Sequence, residues 1–417
     1  MIRTEIFPDV YLNSIEAEKF NRSRISISFT MPSNKETATA MALLPMIMSR
    51  GYTKYPTMKI LSTKLAKLYG AGLTADCMVM GENRILVFSI VGIKDKFALN
   101  NENLTKEYMD IILGSIFEPT LIDGVFDNSI LEIEKEKLKE ILLSEINDKR
   151  GYCLKQARRK FFGENLAGIE KYGYLDKVDE VTTQQLYDLY LNILSTSKIE
   201  IMALGTNKDV VIQEFEKYHS KINRQKVVLN TTKIMPMIDV QEFNEKVETA
   251  QGKLAMIFTI NEKLKPEDLS KMRLAIAVFG GLPTSRLFTN VREKLSLCYY
   301  CAAGYTDITG MLVVDSGIEH SNSDKTKKAI LHELEILKVN DITDDELNNS
   351  KKSLITSLKS IPDSLGGLEN WYLSEISRNT NYSPKEVMEQ IKLVTKEDIK
   401  NMLNKFSLSV VYTLTNN

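Results

Sequence analysis

Hydrophobic and polar positions alternate in two stretches far apart in the chain, residues 24–31 (RISISFTM) and residues 253–260 (KLAMIFTI). Alternation of this kind predicts β-strands. Each stretch is followed by a long apolar helix pattern, a second helix and two strands, and each half then turns helical and closes on a strand. The matching later strands are predicted at residues 84–92 and 309–317, and the closing strands at residues 199–205 and 408–413.

This element order predicts an α+β fold in which a mainly antiparallel sheet is packed by helices, formed twice along the chain. A Val-Thr pair predicts a helix start before each closing strand, at residues 181–182 and 394–395. The polar stretch at residues 220–232 carries few helix or strand signals. We therefore predict an N-terminal lobe at residues 1–220, a linker at residues 221–235 and a C-terminal lobe at residues 236–417.

The charge balance and cysteine content narrow the functional classes. Lys and Arg number 54 against 55 Asp and Glu, which leaves no overall field to attract nucleic acid or an anionic membrane. The first residues lack a stretch typical of a signal peptide, and no run reaches the ~20 apolar residues needed to span a bilayer. Four cysteines do not make a disulfide framework in a chain of this length. We expect a cytoplasmic protein that binds neither nucleic acid nor membranes.

The strongest motif is residues 280–300, GGLPTSRLFTNVREKLSLCYY. It resembles the second-half signature of the M16 (insulinase, pitrilysin and mitochondrial processing peptidase) family, in which GG-x-x-S-S-R-L-F leads into R-E-x-x-G-L-x-Y. Ser296 stands where the family usually has Gly. The residues that match the two parts of the signature are Ser285, Arg286, Leu287, Phe288, Arg292, Glu293, Leu297 and Tyr299.

The resemblance implies a LuxS/M16 metallopeptidase-like fold with two similar lobes, and two chains that close like a clamshell around a peptide chamber. It also implies that Arg292 and Tyr299 bind substrate carbonyls and the tetrahedral intermediate. Arg offers a fixed fork of donors, and one preorganised oxyanion donor contributes about 2.7–4 kcal/mol to catalysis. The structural alternative is an Arg on a short amphipathic helix and a Tyr on a core strand.

The same resemblance places Gly280, Gly281, Ser285 and Arg286 along the peptide path. The glycines permit a close approach of the backbone, but a glycine pair after an apolar helix also serves as a helix stop. No phosphate-binding loop pattern is present.

The first-half helix is predicted between a capping box formed by Ser33 and Glu36 and a stop at Gly51. Pro45 within it predicts a kink or break, because proline removes a backbone donor.

Active M16 members carry H-x-x-E-H on this helix. Counting back from Gly51, Ala42, Pro45 and Met46 take the positions of the first His, the Glu and the second His. Ala and Pro offer no zinc donor, and the Met thioether is a poor one. No carboxylate is present at Pro45 to deprotonate a metal-bound water. The resemblance therefore predicts no zinc in this chain and zinc in a partner subunit.

The third zinc ligand of the family would fall at Ile141 or at the adjacent Glu140. We interpret the acidic residues of this helix as a solvated face. Its predicted buried side consists of Ile130, Ile133, Leu138 and Ile141.

The histidines argue against a metal site elsewhere. The chain has three, His219, His320 and His332, and no two stand three to five residues apart. We predict a surface role for His219 at a helix end, and a surface-helix position for His332 beside Glu333.

The cysteines are interpreted as small hydrophobic residues. Cys298 and Cys301 form a C-x-x-C, but positions i and i+3 of a regular strand point to opposite faces, so their sulfurs are predicted to diverge. Cys77 and Cys153 have no neighbouring cysteine in sequence.

These observations favour a zinc-lacking, YmfF-like subunit of a heterodimeric M16 metallopeptidase, inactive alone. Such a subunit would supply Arg292 and Tyr299 in trans for peptide hydrolysis by an H-x-x-E-H partner. The alternative is a structural or peptide-binding scaffold subunit with no part in the chemistry. A homodimer stays open for the chain on its own.

Overall fold

A computed structural model describes residues 1–236, 239–260, 262–339 and 342–416. The chain divides into a first unit, Met1–Leu143 with Ile169–Thr231, and a second unit, Ser144–Gly168 with Thr232–Asn417. The final passage between the units, at residues 231–232, lies inside the predicted linker. The contiguous lobes drawn from the sequence did not include the excursion of residues 144–168 into the second unit.

The first unit contains a six-stranded sheet, a two-stranded hairpin and helices around them. Its strands and helices are β1 Ile2–Phe7, β2 Val10–Ile15, β3 Arg22–Pro32, α1 Ala38–Met48, α2 Met58–Lys67, β4 Gly72–Met80, β5 Asn83–Ile93, α3 Leu104–Phe117, β6 Leu121–Ile122, β7 Val125–Phe126, α4 Asn128–Ser144, α6 Thr183–Thr196, β8 Lys198–Leu204 and α7 Lys208–His219.

The second unit contains a five-stranded sheet. Its strands and helices are α5 Lys149–Phe162, β9 Gln241–Lys246, β10 Gly252–Ile260, α8 Leu269–Ile276, β11 Cys298–Thr306, β12 Met311–Ile318, α9 Ser323–Lys338, α10 Asp344–Ser360, α11 Leu365–Ser377, α12 Pro384–Leu393, α13 Lys396–Leu403 and β13 Phe406–Thr415. Two further helical segments, Ala277–Gly281 and Leu287–Lys294, have wide turns. Across the described ranges, no helix combines the length and apolar character needed to cross a membrane.

The two sheets repeat one topology. The first has the order β1-β2-β8-β3-β5-β4, and the second has the order β11-β12-β10-β13-β9. If the first sheet is followed from β4 and the second from β11, each strand of one sheet has a counterpart in the other. In both sheets the third strand, β3 or β10, is antiparallel to both of its neighbours. The parallel pair β2–β8 matches the parallel pair β9–β13. The predicted α+β fold with a repeated sheet is confirmed.

The predicted helix starts before the closing strands are also present. Thr182 caps α6 in a capping box with Gln185, and Thr395 caps α13 in a capping box with Asp398. Each side chain satisfies a backbone N–H that has no partner within the first turn.

The central strand of the second unit is buried on both faces. Leu254, Met256 and Phe258 of β10 pack against the helices of this unit. Ala255 and Ile257, on the opposite face, pack with Cys153, Ala157, Phe161 and Phe162 of α5. The excursion of residues 144–168 therefore supplies the layer that covers this second face.

Polar contacts fix α5 on that face. Arg150 pairs with the buried carboxylate of Asp315 on β12, and the Tyr152 hydroxyl donates to Glu245 Oε1 of β9 at 2.9 Å. Burial raises the pKa of Asp315, and the guanidinium of Arg150 opposes that rise. A charged group of α5 thus compensates a carboxylate that the sheet buries.

Helix α1 differs from its prediction at its first residue and at Pro45. The helix begins after Thr37, whose side chain makes no capping hydrogen bond, so the predicted capping box of Ser33 and Glu36 is wrong. Ser33 instead lies buried at the end of β3, and its N–H donates to the Glu82 carbonyl at 2.9 Å. The helix continues through Pro45 to Met48, so the predicted break does not occur. Burial on almost all sides supports the helix where proline removes one hydrogen bond.

The buried face of α4 was predicted correctly only at Leu138. Ile133 is exposed, and Ile130 and Ile141 are half-buried. The fully buried positions are Leu131, Glu134, Lys135 and Leu138. An apolar pattern cannot reveal a face that buries charged residues, because their burial depends on partners elsewhere in the chain.

His219 lies at the end of α7 in an aromatic cluster of the first unit. Its ring stacks on Phe7 with a centroid separation of 4.2 Å, and Phe215 lies 5.9 Å away. The predicted surface role is thus only partly correct, because the ring is half-buried. Burial, together with the charge of Arg224, lowers the pKa of His219.

We predict that Phe7→Ala raises the pKa of His219 towards its ordinary value, because the substitution exposes the ring. In the unaltered protein, the folded pKa lies below the ordinary value of 6.5. The first unit should therefore lose stability as the pH falls from that value through the folded pKa. Titration of ¹³C-labelled histidine by NMR measures the pKa of His219 in both proteins. An unchanged His219 curve in Phe7→Ala would contradict burial as the cause.

Candidate functional site

The 280–300 motif forms two wide helical turns that lead into β11. The Leu295 N–H donates to the Asn290 carbonyl at 3.0 Å, five residues back, and the Leu297 N–H donates to the Val291 carbonyl at 3.2 Å. Wide turns of this kind are rare in proteins and occur frequently at functional sites. They fold the end of the helical segment back onto the first residues of the strand.

Gly280 allows this segment to lie directly on β11. A Cβ atom at Gly280 would lie 2.6 Å from Ala303 Cβ and 2.9 Å from the Ala303 backbone nitrogen. Real Cβ atoms do not approach so closely, so only glycine fits here without displacement of the strand. Gly281 has more room, since its nearest neighbour is the Ile276 carbonyl oxygen at 3.1 Å.

Ser285 and Arg286 are enclosed within the second unit. Ser285 is buried, and Arg286 pairs with Glu346 and lies 3.7 Å from a carboxylate oxygen of Glu333. Asn290 donates to Glu333 at 2.8 Å. These contacts hold the loop against α9 and α10. Direct contact of Ser285 or Arg286 with a peptide stays a prediction.

Ser296 adopts the backbone conformation that explains the usual glycine of the resembled signature. Its φ is 51°, in the left-handed region, where a side chain is strained and glycine is not. The residue sits between the helical segment and β11, and its hydroxyl approaches the Glu293 carbonyl at 3.4 Å. The sharp reversal at this position is therefore retained although the glycine is not.

Strand β11 carries one extra residue against β12. Cys298 is opposite Ile318 and Tyr300 is opposite Gly317, so Tyr299 has no opposite residue. Such a bulge re-aims a side chain. Tyr299 is 48% exposed, and its hydroxyl contacts Glu319. The alternative in which Tyr299 is a buried core residue of the strand is wrong, because nearly half of the residue is exposed.

Tyr300 is a structural residue of the sheet. Its ring lies over Gly317, where a Cβ atom would be 2.4 Å from the ring. Its hydroxyl donates to Asp315 Oδ1 at 3.1 Å, and the Arg150 guanidinium lies 4.6 Å from the ring centroid. The two adjacent tyrosines thus have different surroundings.

Cys298 and Cys301 do not diverge as predicted. Both are buried in the same apolar cluster of the second unit. The extra residue between them shifts the alternation, so that positions i and i+3 share a face. The sequence contains no local signal for such a bulge.

Arg292 lies beside this bulge. Its guanidinium sits over the Phe288 ring at 4.4 Å from the centroid, a favourable cation–π geometry. Its charge also contributes to lowering the pKa of the Cys298 thiol. Arg292 and Tyr299, which the sequence singled out, therefore flank one short turn. Their role in substrate binding stays a prediction.

The first-half helix holds an apolar surface at the three positions matched to the zinc motif. Ala42 is 2% exposed, Pro45 is buried and Met46 is half-buried, all within the core of the first unit. The neighbouring helices are joined by an ion pair in which Arg50, just after α1, contacts the buried Glu134 of α4. Glu140 is exposed and Ile141 half-buried on α4.

Comparison with known proteins bears on this arrangement. The family model of the peptidase M16 inactive domain matches residues 180–354. The probable inactive metalloprotease YmfF of Bacillus subtilis (strain 168) is 24% identical over 401 residues, which cover 96% of this chain and 94% of that protein. The chain is thus similar to the M16 inactive domain over residues 180–354 and to YmfF over almost its whole length.

Two further likenesses extend the comparison. A conserved protein from Enterococcus faecalis V583 has a solved structure that matches with a TM-score of 0.88 and 25% identity, over 100% of this chain and 98% of that chain. The uncharacterized zinc protease YmxG of Bacillus subtilis (strain 168) is 28% identical over 177 residues, 42% of this chain and 42% of that protein.

A zinc ion does not fit at the positions of the first unit that match the zinc motif. Alanine and proline offer no donor atoms, and the positions are closed into an apolar core. Within residues 1–236, 239–260, 262–339 and 342–416, no group of three or more His, Cys, Asp or Glu side chains could hold a metal. His332 is exposed on α9 beside the buried Glu333, and His320 Nδ1 accepts from the Asn416 N–H at 3.1 Å.

Two features of the site were not predicted from the sequence, the bulge at Tyr299 and the contact of Tyr299 with Glu319. Glu319 lies just beyond β12 and is brought near by the pairing of β11 with β12. Both features follow from the pairing register of β11 and β12. Local sequence does not specify this register, so neither feature could be predicted from it.

We predict that Gly280→Ala destabilises the second unit by about 1–3 kcal/mol, because its methyl group overlaps Ala303 in a packed interior. Urea unfolding followed by the fluorescence of Trp371, the single tryptophan and a residue of α11, reports on this unit. Gly304→Ala is the matched control, since a Cβ atom there has nothing within 4 Å. Equal losses in both variants would contradict close approach as the reason for Gly280.

We predict that Ser296→Gly stabilises the second unit by about 0.5–1 kcal/mol, because relief of the left-handed strain exceeds the added chain entropy of glycine. The midpoint of the same fluorescence-monitored unfolding should rise. Ser296→Ala, which keeps a Cβ atom at this φ, should give no gain. A loss of stability on introducing glycine would show that the serine hydroxyl matters more than the backbone strain.

Proposed function

We propose that this chain is the zinc-lacking subunit of a heterodimeric M16 metallopeptidase and supplies Arg292 and Tyr299 to an active site whose zinc the partner holds. The reaction is hydrolysis of short or unfolded peptides. The observation that carries the proposal is the bulge in β11, which places the phenol of Tyr299 on the surface. A tyrosine with only a packing role gains nothing from such exposure.

The surroundings of Arg292 support the same role. The ring of Phe288 holds the guanidinium by its face, and none of the ion pairs found in the described residues engages it. Its N–H groups therefore remain available to donate hydrogen bonds to substrate carbonyls. Arg286, by contrast, is occupied by Glu346, and its part in this proposal is to hold the loop.

The contact of Tyr299 with Glu319 adds a positioning element. A carboxylate that accepts from the phenol keeps the ring at one orientation while no substrate is present. On substrate binding, the Tyr299 hydroxyl would donate instead to the developing oxyanion. Glu319→Gln should weaken the positioning without removal of the donor.

The partner in this proposal is a zinc-bearing M16 chain. YmxG, which this chain resembles over 177 residues, is named a zinc protease. The cofactor is then zinc in the partner and none in this chain. A cytoplasmic location belongs to the same proposal and is supported by the four free thiols, which persist in a reducing compartment.

We predict that Arg292→Ala and Tyr299→Phe each lower the kcat/KM of the assembled complex by about 10²–10³, because each removes a donor that acts in the transition state. The measurement is cleavage of a quenched fluorescent peptide library by an H-x-x-E-H M16 partner, alone and mixed with each variant. The zinc content of the complex, measured by atomic absorption, should be unchanged.

Matched variants separate this role from a scaffold role. Tyr300→Phe alters the adjacent tyrosine, whose hydroxyl faces Asp315 inside the sheet, and Arg158→Ala removes another arginine that lies over a phenylalanine ring. Neither should change kcat/KM appreciably. A complex that assembles but shows the same kinetics with Arg292→Ala and Tyr299→Phe as with these controls is a scaffold complex. A partner equally active alone would sink the proposal.

A further inference from the structure

The bulge in β11 also places two thiols on one face of the strand. Cys298 is 9% exposed and Cys301 is 4% exposed, and both belong to one apolar cluster. Their opposite residues on β12, Ile318 and Ser316, are two positions apart and so also share a face. The register of the sheet therefore sets the two sulfur atoms side by side.

The ionisation of each thiol depends on the other. The hydroxyl of Ser316, the residue opposite Cys301, donates to the Tyr300 carbonyl at 2.9 Å. The hydrogen bond from Cys301 lowers the pKa of Cys298 to about 7, against the effect of burial and with smaller contributions from Ser316 and Arg292. The same interaction, with burial, raises the pKa of Cys301. One thiol is thus poised as a thiolate and its neighbour as a proton-bearing thiol.

The other two cysteines lack this arrangement. The Cys77 thiol contacts the Lys171 carbonyl oxygen at 3.4 Å, and the Cys153 thiol contacts the Tyr412 carbonyl oxygen at 3.7 Å. Burial raises the pKa of both, to about 12 for Cys153. They serve as internal controls, because both are buried cysteines of the same chain and neither has a second cysteine near it in sequence.

We propose that Cys298 and Cys301 form an oxidisable dithiol, in which Cys298 reacts with a peroxide and Cys301 resolves the product to a disulfide. The Cys298 thiolate attacks one peroxide oxygen, the O–O bond breaks, and the leaving oxygen departs as hydroxide, or as alkoxide from an organic peroxide. The Cys301 thiol then attacks the sulfur of the sulfenic acid, an S–S bond forms, and water leaves with the Cys301 proton. Two thiols lose two electrons, and the peroxide gains them.

The disulfide would span Tyr299 and Tyr300 and tie together the two ends of the bulge. Because the bulge sets the direction of Tyr299, oxidation should displace the phenol from its place beside Glu319. This part of the inference rests on the proposed function, whereas the dithiol chemistry does not. In the complex, oxidation of this chain should lower kcat/KM by at least the factor seen for Tyr299→Phe, and a reductant should restore it.

The first test uses the full chain alone with hydrogen peroxide, followed by a thiol count in denaturant and mass spectrometry of the tryptic fragment 295–325, which contains both cysteines. We expect two of the four thiols to be lost and the fragment to be lighter by two hydrogen atoms. Cys77→Ser and Cys153→Ser should behave like the unaltered chain. In Cys301→Ser, dimedone should trap a sulfenic acid on Cys298, and in Cys298→Ser residue 301 should stay a thiol.

The outcomes separate the two proposals. Retention of all four thiols under peroxide, in a chain whose Trp371 fluorescence shows it folded, overturns the dithiol. Equal dimedone trapping at Cys77 or Cys153 does the same. A disulfide that forms but leaves kcat/KM unchanged, in a complex where Tyr299→Phe is impaired, leaves the dithiol intact and overturns its link to activity. A complex indifferent to Tyr299→Phe overturns the proposed function alone.

Discussion

The strict alternation of side chains along a strand is the constraint on which the site depends. Counted back from the inward-facing Cys301, a regular strand would place Tyr299 inside and Cys298 outside. One inserted residue reverses both directions, because everything before it shifts to the other face. The phenol then reaches the surface and both thiols enter the core. The surface and the interior of this site are therefore determined together by a single local irregularity.

The duplicated topology shows that this irregularity is particular to the second unit. Strand β4 holds the position in the first sheet that β11 holds in the second, and it pairs with β5 without a register shift from Gly72 to Met80. In the first unit, an apolar helix core occupies the positions matched to the zinc motif, with the Arg50–Glu134 ion pair nearby. The two units thus share one topology and differ in these local features.

Much of this could be predicted from the sequence, and the failures share a physical cause. Periodic apolar runs and the Thr182 and Thr395 caps are local signals, so the strands and helix starts were found. The motif around Arg292 identified the family for the same reason. The buried face of α4, the bulge at Tyr299 and the packing of α5 depend on partners distant in sequence. In the sequence alone, Glu134 resembles a surface residue, because its partner Arg50 is distant in sequence. Likewise, β11 resembles a regular strand unless it is aligned with β12.

The early position of α5 in the chain affects how the second unit is assembled during synthesis. Residues 149–162 are made long before β10 and β13, the strands on which α5 packs. Until those strands exist, the apolar side of α5, with Phe161 and Phe162, has no core to enter. The apolar side of this helix therefore stays without its packing partners while the rest of the first unit is synthesised. The second unit therefore closes late and through contacts of long sequence separation, which slow folding and lengthen exposure of apolar surface.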